Sequence, residues 1–326
     1  MSLAEIEALY RRPLNELLAE SWALRQANFP PRLKLAVPGA RHYEVEGFRN
    51  TPHRFVGVSL TGRACALRCE HCRGELLAAM HPATTPGALR ALADELVAKG
   101  CRGLLLSGGA NSQGQVPVDG YFEAIAYVKE KGLKVIVHTG LLDTAAARGL
   151  KDAGVDQALL DVIGDAKTIK QVRHLHKTPA DYAASLAAAK GAGLNVVPHV
   201  VIGLHFGQVR GELTALSLIR EVGADVIVLV ALNPLPGTPM QASPPPTPQV
   251  VGRLVALARL LNPRTPVALG CARPSGPAGA ALERIAVEAG ATALAYPGEG
   301  AIAHAQSLGL EIEFDEVCCS LGMVKG

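Results

Sequence analysis

No apolar run in this sequence reaches the roughly 18–20 residues that a membrane-spanning helix needs. The longest, such as Val226–Leu232, have the length of a strand. Dense runs of Lys or Arg are also missing and the formal net charge is only +3. That excludes a basic arm for nucleic acid, so neither a nucleic-acid nor a membrane partner is expected. Near the N-terminus Glu5, Glu7, Arg11 and Arg12 interrupt the apolar residues, which leaves no secretory core. A cytoplasmic location is the expectation. Aromatic residues are scarce, at 4%, while hydrophobic residues make up 49% of the 326 positions. This is a globular balance rather than a disordered or fibrous one, and the length suffices for one large α/β barrel or two domains. The seven cysteines are an odd number, and three of them fall within eight residues, Cys65 to Cys72. A disulfide framework is thereby disfavoured, and metal binding or redox chemistry favoured.

The pattern along the chain divides it into three parts. In residues 1–50, Leu3, Ile6 and Leu9, then Leu14, Leu17, Leu18 and Leu24, recur at helical spacing, with Pro13 restarting the helix. Residues Leu33–Asn50 alternate loosely around Pro38-Gly39 and predict a hairpin over the following domain. In residues 51–300 short apolar runs alternate with amphipathic stretches. Strands are expected at Phe55–Leu60, Gly103–Ser107, Lys134–His138, Gln157–Val162, Asn195–Ile202, Asp225–Leu232, Pro266–Leu269 and Ala291–Tyr296. The helices between them often end in Gly just before the next strand, as at Gly100, Gly154, Gly193, Gly223 and Gly290. Continuous Val/Ile/Leu strands alternating with helices predict a closed parallel (βα)8 barrel of the TIM type. A doubly wound open sheet is the alternative. Residues 301–326 are expected to form a tail over the barrel mouth.

In such a barrel, function lies at the C-terminal ends of the strands. The first expected strand runs into Thr61-Gly62-Arg63-Ala64-Cys65-Ala66-Leu67-Arg68-Cys69-Glu70-His71-Cys72. Three thiolates at this spacing can hold three corners of an iron–sulfur cube and leave the fourth iron open to another ligand. A dithiol redox motif would leave Cys65 surplus. A zinc site that also used His71 would require adjacent residues in a tight loop to ligate one ion.

With these residues the chain resembles the radical S-adenosylmethionine (radical SAM) superfamily. The resemblance implies a [4Fe-4S] cluster on Cys65, Cys69 and Cys72, with S-adenosylmethionine on the open iron. It implies cleavage of that cofactor to a 5′-deoxyadenosyl radical and a low-potential electron donor such as ferredoxin. It places His71 against adenine, the backbone of Ser107-Gly108-Gly109 at the methionine amino group, and Asp161 on the ribose hydroxyls. Val201-Ile202-Gly203-Leu204 matches the segment packed on adenine. Lys177, or Arg173, is nearest to the family's Arg beside the cofactor carboxylate. Asn233-Pro234-Leu235-Pro236-Gly237-Thr238-Pro239 looks like a segment of the biotin synthase branch, and His138 and His199 stand near places where biotin synthase offers cysteines.

Of the remaining cysteines, Cys101 precedes the second strand and reads as packing. Cys271 ends the seventh strand, and the tail could bring Cys318 and Cys319 to it. Three thiolates with Ser320, His138, Arg273 or an exogenous sulfur would hold an auxiliary iron–sulfur cluster; free thiols on a loose end are the plain alternative. An auxiliary cluster suggests sulfur insertion into an unactivated C–H bond. Ser59–Gly62, Gly74–Met80, Ser107–Asn111, Val116–Val118 and the terminal Cys-Cys-Ser look most like the biotin-synthase-related proteins that form two-component lipoyl synthases in archaea and some bacteria. That resemblance implies an octanoyl chain on a lipoyl-carrier protein as substrate and a companion radical SAM component. Lys34, Arg41, His42, Arg49 and His53 could meet an acidic carrier. A radical enzyme without sulfur insertion, a biotin-synthase-like enzyme on a small substrate, and a non-catalytic iron–sulfur partner remain rival readings.

Overall fold

A computed structural model of the chain describes residues 1–323. In chain order the first strands are β1 (Arg32–Ala36), β2 (Glu44–Val45), β3 (Phe48–Arg49), β4 (Phe55–Ser59) and β5 (His81–Pro82). There follow β6 (Gly103–Ser107), β7 (Lys134–His138), β8 (Gln157–Asp161) and β9 (Val196–Ile202). The last are β10 (Ile227–Ala231), β11 (Val267–Leu269), β12 (Ala293–Ala295) and β13 (Glu311–Asp315). The helices are α1 (Leu3–Tyr10), α2 (Leu14–Asn28), α3 (Pro86–Ala98), α4 (Phe122–Glu130), α5 (Thr144–Asp152) and α6 (Ala166–Arg173). They continue with α7 (Pro179–Gly191), α8 (Glu212–Val222), α9 (Pro248–Leu261), α10 (Gly276–Glu288) and α11 (Glu299–Ser307). Thr85, Asp143, Asp165 and Thr247 cap α3, α5, α6 and α9 with side-chain oxygens, and Pro86 and Pro248 open their first turns. Each satisfies donors that a helix start would otherwise strand. No helix among the described residues is long and apolar enough to cross a membrane.

The eight expected strands are all present, as β4 and β6 to β12, and pair in parallel in the expected sequence. The result is a curled parallel sheet of the TIM type with helices outside. Its closure differs from the expectation. β12 does not return to β4; it pairs with β1, Lys34 opposite Ala293, and β1 pairs with β13, Arg32 opposite Glu311. Residues 32–36 are therefore a sheet strand, not an arm of a covering hairpin; only β2 and β3 form a short antiparallel pair. The alternation misled because both faces of β1 are buried: Leu33 and Leu35 face the helices, while Lys34 and Ala36 face the barrel interior. No backbone ladder joins β13 to β4 among the described residues. Side chains span the gap instead, with Arg102 to Asp315 at 3.7 Å and Arg54 to Glu316 at 3.5 Å.

The tail is also corrected. Residues 299–315 complete one more helix and strand, and the segment after β13 enters the barrel rather than lying over it. Val317, Cys319 and Leu321 pack against Ala36, Phe55, Ile136, Leu159, Ala268 and Ala293 on the inner face of the sheet. Barrel interiors are usually filled by layers of bulky side chains. Here alanines on β1, β11 and β12 leave space that the chain's own end takes up.

Replacing Leu35 by Ala should cost about 2–5 kcal/mol, as a fully buried strand position does and a covering hairpin would not; chemical denaturation measures it.

Candidate active site

The loop after β4 is held in shape before any cofactor enters. Ser59 Oγ donates to the Gly62 carbonyl at 2.7 Å, and Thr61 Oγ1 donates to the Ala64 carbonyl at 2.9 Å. Gly109 N–H donates back to Thr61 Oγ1 at 2.7 Å, and Ala66 N–H to the Ala110 carbonyl at 2.9 Å. A Cβ at Gly109 would lie 1.9 Å from the Ala64 carbonyl oxygen and 2.5 Å from Cys65 Cα. The Gly108-Gly109 segment thus buttresses the cysteine loop, with the Gly109 N–H engaged by Thr61. Ser107, which ends β6, donates to the His138 carbonyl at 3.4 Å and ties the second strand to the third.

Cys69 is buried, whereas Cys65 and Cys72 are half-buried. A hydrogen bond from Cys69 brings the Cys72 thiol down to about 7, and the same bond pushes Cys69 up. Among the described residues no three His, Cys, Asp or Glu side chains close to the spacing of one metal ion. The loop does not present the compact donor set of a zinc site; an iron–sulfur cube spreads its thiolates wider. Three buried polar atoms beside this loop lack any hydrogen-bond partner: His71 Nδ1, Arg173 Nε and Tyr182 Oη. Orphans of this kind are rare in a folded protein unless a ligand meets them. The donor set therefore fits a cube and a polar cofactor.

Asp161 ends β8 and organises the mouth. Arg173 Nη1 meets its carboxylate at 2.8 Å, and His138 Nε2 stands 3.7 Å away. Burial alone would raise the Asp161 carboxyl, but His138 and Arg173 outweigh it and hold the group well below the usual range. The base paired with Asp161 is Arg173, not Lys177. Lys177 lies four residues further on and pairs with Asp181 at 3.7 Å. The short helix α6, unforeseen in the sequence, makes the difference by turning Arg173 back toward Cys69. Gly203 is also corrected: β9 ends at Ile202, and Gly203 takes φ +78 in a turn, its N–H bonded to Glu212 at 2.8 Å. His199 on β9 donates from Nδ1 to its own strand at the Val197 carbonyl, 3.1 Å away, and its ring centre lies 5.1 Å from that of His138. Burial, with His138 beside it, brings His199 down to about 4, so it is neutral.

Of the second thiol set, Cys318 and Cys319 lie inside the barrel and Cys271 is exposed at its edge. Cys271 follows β11, Tyr296 follows the adjacent β12, and Cys318 and Cys319 pack with Tyr296 against the inner face. A hydrogen bond from Cys319, and backbone donors at Ser320, bring Cys318 down to about 6. Of the side chains considered as a fourth ligand, His138 and Arg273 are engaged elsewhere, while Ser320 Oγ lies 3.7 Å from Cys318 Sγ as well as bonding Gln157. Ser320 Oγ donates to Gln157 Oε1 at 2.7 Å, Arg273 pairs with Glu283 at 2.7 Å, and His138 faces Asp161. Arg41 lies flat over the Tyr296 ring at 3.8 Å. Cys101 is buried and bonded to the Gly103 carbonyl at 3.3 Å, far from the mouth. Lys34 is only 6% exposed and cannot meet a carrier. His42 and Arg49 both face Glu44, at 3.3 and 3.9 Å, so the basic group is smaller than its sequence suggests. Thr61, Tyr182 and Gln157 escaped the sequence reading; only Gln157, a polar residue opening a buried strand, left a signal.

Residues 59–218 match the family described as the Radical SAM superfamily. The biotin synthase of Desulforudis audaxviator is 32% identical over 136 residues, 41% of this chain and 40% of that protein. The biotin synthase of Polaromonas naphthalenivorans is 25% identical over 303 residues, 90% of this chain and 81% of its own length. Among solved structures, methylornithine synthase has the same fold, with a TM-score of 0.65 at 15% identity over 95% of this chain and 94% of the other.

Arg173→Met should weaken S-adenosylmethionine binding to the cluster-loaded protein by about tenfold or more, the scale of one lost charge-assisted contact. Lys177→Met should leave it unchanged; anaerobic titration calorimetry distinguishes the two. A second expectation concerns acid. His199 is neutral when folded and takes a proton near pH 6.5 when unfolded. The unfolded chain therefore binds more protons between pH 6.5 and 4, and stability falls as pH drops through that window. His199→Gln should flatten this part of the profile, read as melting temperature against pH in the cluster-free protein.

Proposed function

The chain belongs to the radical SAM superfamily, in its biotin-synthase-related branch, and from that premise we propose that it inserts sulfur into an unactivated C–H bond of an octanoyl chain carried on a protein, as a component of a lipoyl synthase. The observation that carries this reading is the entry of Cys318 and Cys319 into the barrel, with the exposed Cys271 near enough to Cys318 for their charges to interact, in a molecule whose barrel mouth already bears Cys65, Cys69 and Cys72. One thiol set accounts for making a radical; a second is surplus unless sulfur or a further cluster is needed.

When bound, the first cluster and S-adenosylmethionine supply a carbon radical able to take hydrogen from an aliphatic carbon, and the second cluster supplies the sulfur. The chain's own residues bind and orient. Cys65, Cys69 and Cys72 hold the first cluster on a loop stiffened by Thr61 and Gly109. Arg173 and Asp161, locked together at 2.8 Å, present fixed charges to the cofactor's carboxylate and hydroxyls, with Tyr182 and His71 as free polar atoms beside them. Val201, Val228 and Val230 give the inner wall an apolar surface that suits an alkyl chain and keeps water from a radical. His138 and His199 stay neutral there and add no charge against that chain. Cys271, Cys318 and Cys319 hold the second cluster opposite. The companion component, the ferredoxin-type donor and the lipoyl carrier belong to this proposal. A free small substrate is the second reading, favoured by the name of the relatives, biotin synthase.

The test is anaerobic. Octanoylated carrier peptide, reductant and S-adenosylmethionine are supplied, with and without a companion component, and the peptide is weighed. A gain of one sulfur per peptide is the expected result. An unchanged peptide in both arms, while 5′-deoxyadenosine accumulates, removes the octanoyl assignment and leaves the radical chemistry standing.

A further inference from the structure

Two polar side chains are buried at the base of the barrel interior, away from the mouth and its cysteine loop. Lys34 stands in the middle of β1 at 6% exposure, and Gln157 opens β8 at 2%. Lys34 Nζ donates to the Leu321 carbonyl at 2.6 Å and pairs with the Asp315 carboxylate at 2.6 Å. Gln157 Nε2 donates to the Ser320 carbonyl at 3.0 Å, and Gln157 Oε1 accepts from Ser320 Oγ at 2.7 Å. Every one of these contacts falls on residues 315–321, which contain Cys318 and Cys319. The segment is turned within itself by the Leu321 N–H bonded to the Cys318 carbonyl at 3.0 Å. Just beyond it Gly322 takes φ +70, and a Cβ there would come within 2.3 Å of Lys34 Nζ. The left-handed φ favours glycine, and any side chain there would push the flexible end of Lys34 off its contact.

A buried ammonium or carboxamide is costly unless each polar atom finds a partner. For Lys34 and Gln157 those partners lie on the inserted segment, so both are satisfied in one depth and one register. A slip of a single residue would leave them unmatched and turn the cysteines away. Adjacent cysteines point their side chains apart, so bringing both to Cys271 demands a backbone held in place from outside the pair. Lys34 and Gln157 do this from two different strands.

We propose that Lys34 and Gln157 are positioning residues for a second iron–sulfur cluster, receptors that set the depth and register at which Cys318 and Cys319 face Cys271. The proposal rests on reading Cys271, Cys318 and Cys319 as a cluster site. It predicts that Lys34→Met and Gln157→Leu, in the full chain reconstituted anaerobically with iron and sulfide, keep the iron of the first cube and lose that of the second. Lys34→Arg, which retains the charge, keeps both. In the cluster-free chain, alkylation by iodoacetamide at Cys318 and Cys319 becomes about tenfold faster in the Met and Leu variants, as release of a seated segment requires. Alkylation at Cys65, Cys69 and Cys72 is unchanged, and circular dichroism matches the parent. Should Lys34→Met fail to fold, Gly322→Ala displaces the same contact from an exposed position. Variants that hold both clusters at the parent's level overturn the proposal. A parent chain that binds only one cube overturns the reading of the second thiol set instead; the seating claim then stands on alkylation, and equal rates in parent and variants overturn it.

Discussion

A parallel barrel encloses a column of space that must be filled, because a void forfeits the contacts on which a packed interior depends. In this molecule the inward positions of β11 and β12 are alanines, Ala268, Ala293 and Ala295, and β1 adds Ala36 beside Lys34, so that these strands present little apolar bulk to the column. The chain fills the remainder with its own end. Val317, Cys319 and Leu321 supply the missing bulk, and Cys318 and Cys319 are carried inside by the same packing. The placing of two thiols inside the barrel is thus a consequence of how the core is completed. It costs the fold nothing extra, since the segment would have to be there in any case.

That arrangement divides the interior into layers with different chemistry. At the base Lys34 and Gln157 grip the inserted segment. In the middle valines and alanines form a dry wall. At the mouth Asp161, Arg173, His138 and His199 make a polar ring between the two groups of cysteines. Within that ring one carboxylate is balanced by one guanidinium, while both imidazoles are kept neutral by burial. The balance matters because thiolates bring negative charge from both sides, and a further unpaired charge at this depth would be expensive. Arg41 over Tyr296 is the remaining cation close to the second thiol set.

Strands with Val, Ile and Leu on both faces could be placed to within two residues because a buried parallel strand leaves its mark locally. The cysteine loop was equally plain, since its spacing is contiguous. Residues that act across the barrel were not. Lys177 and Arg173 differ by four positions, and only the short helix α6 determines which of them faces Asp161. Lys34 has the look of a surface lysine until β1 is seen to lie between β12 and β13, which puts its side chain inside.

The alternation of strand and helix, the thiol triad on one loop, and the match of residues 59–218 to the radical SAM superfamily were all determined by neighbouring residues, whose interactions are written in order along the chain. The closure of the sheet through β1 and β13 and the entry of the tail, with Cys318 and Cys319, into the barrel were decided by tertiary packing alone. Each depends on how much space the other strands leave, a quantity that belongs to the whole barrel and to no single stretch of it.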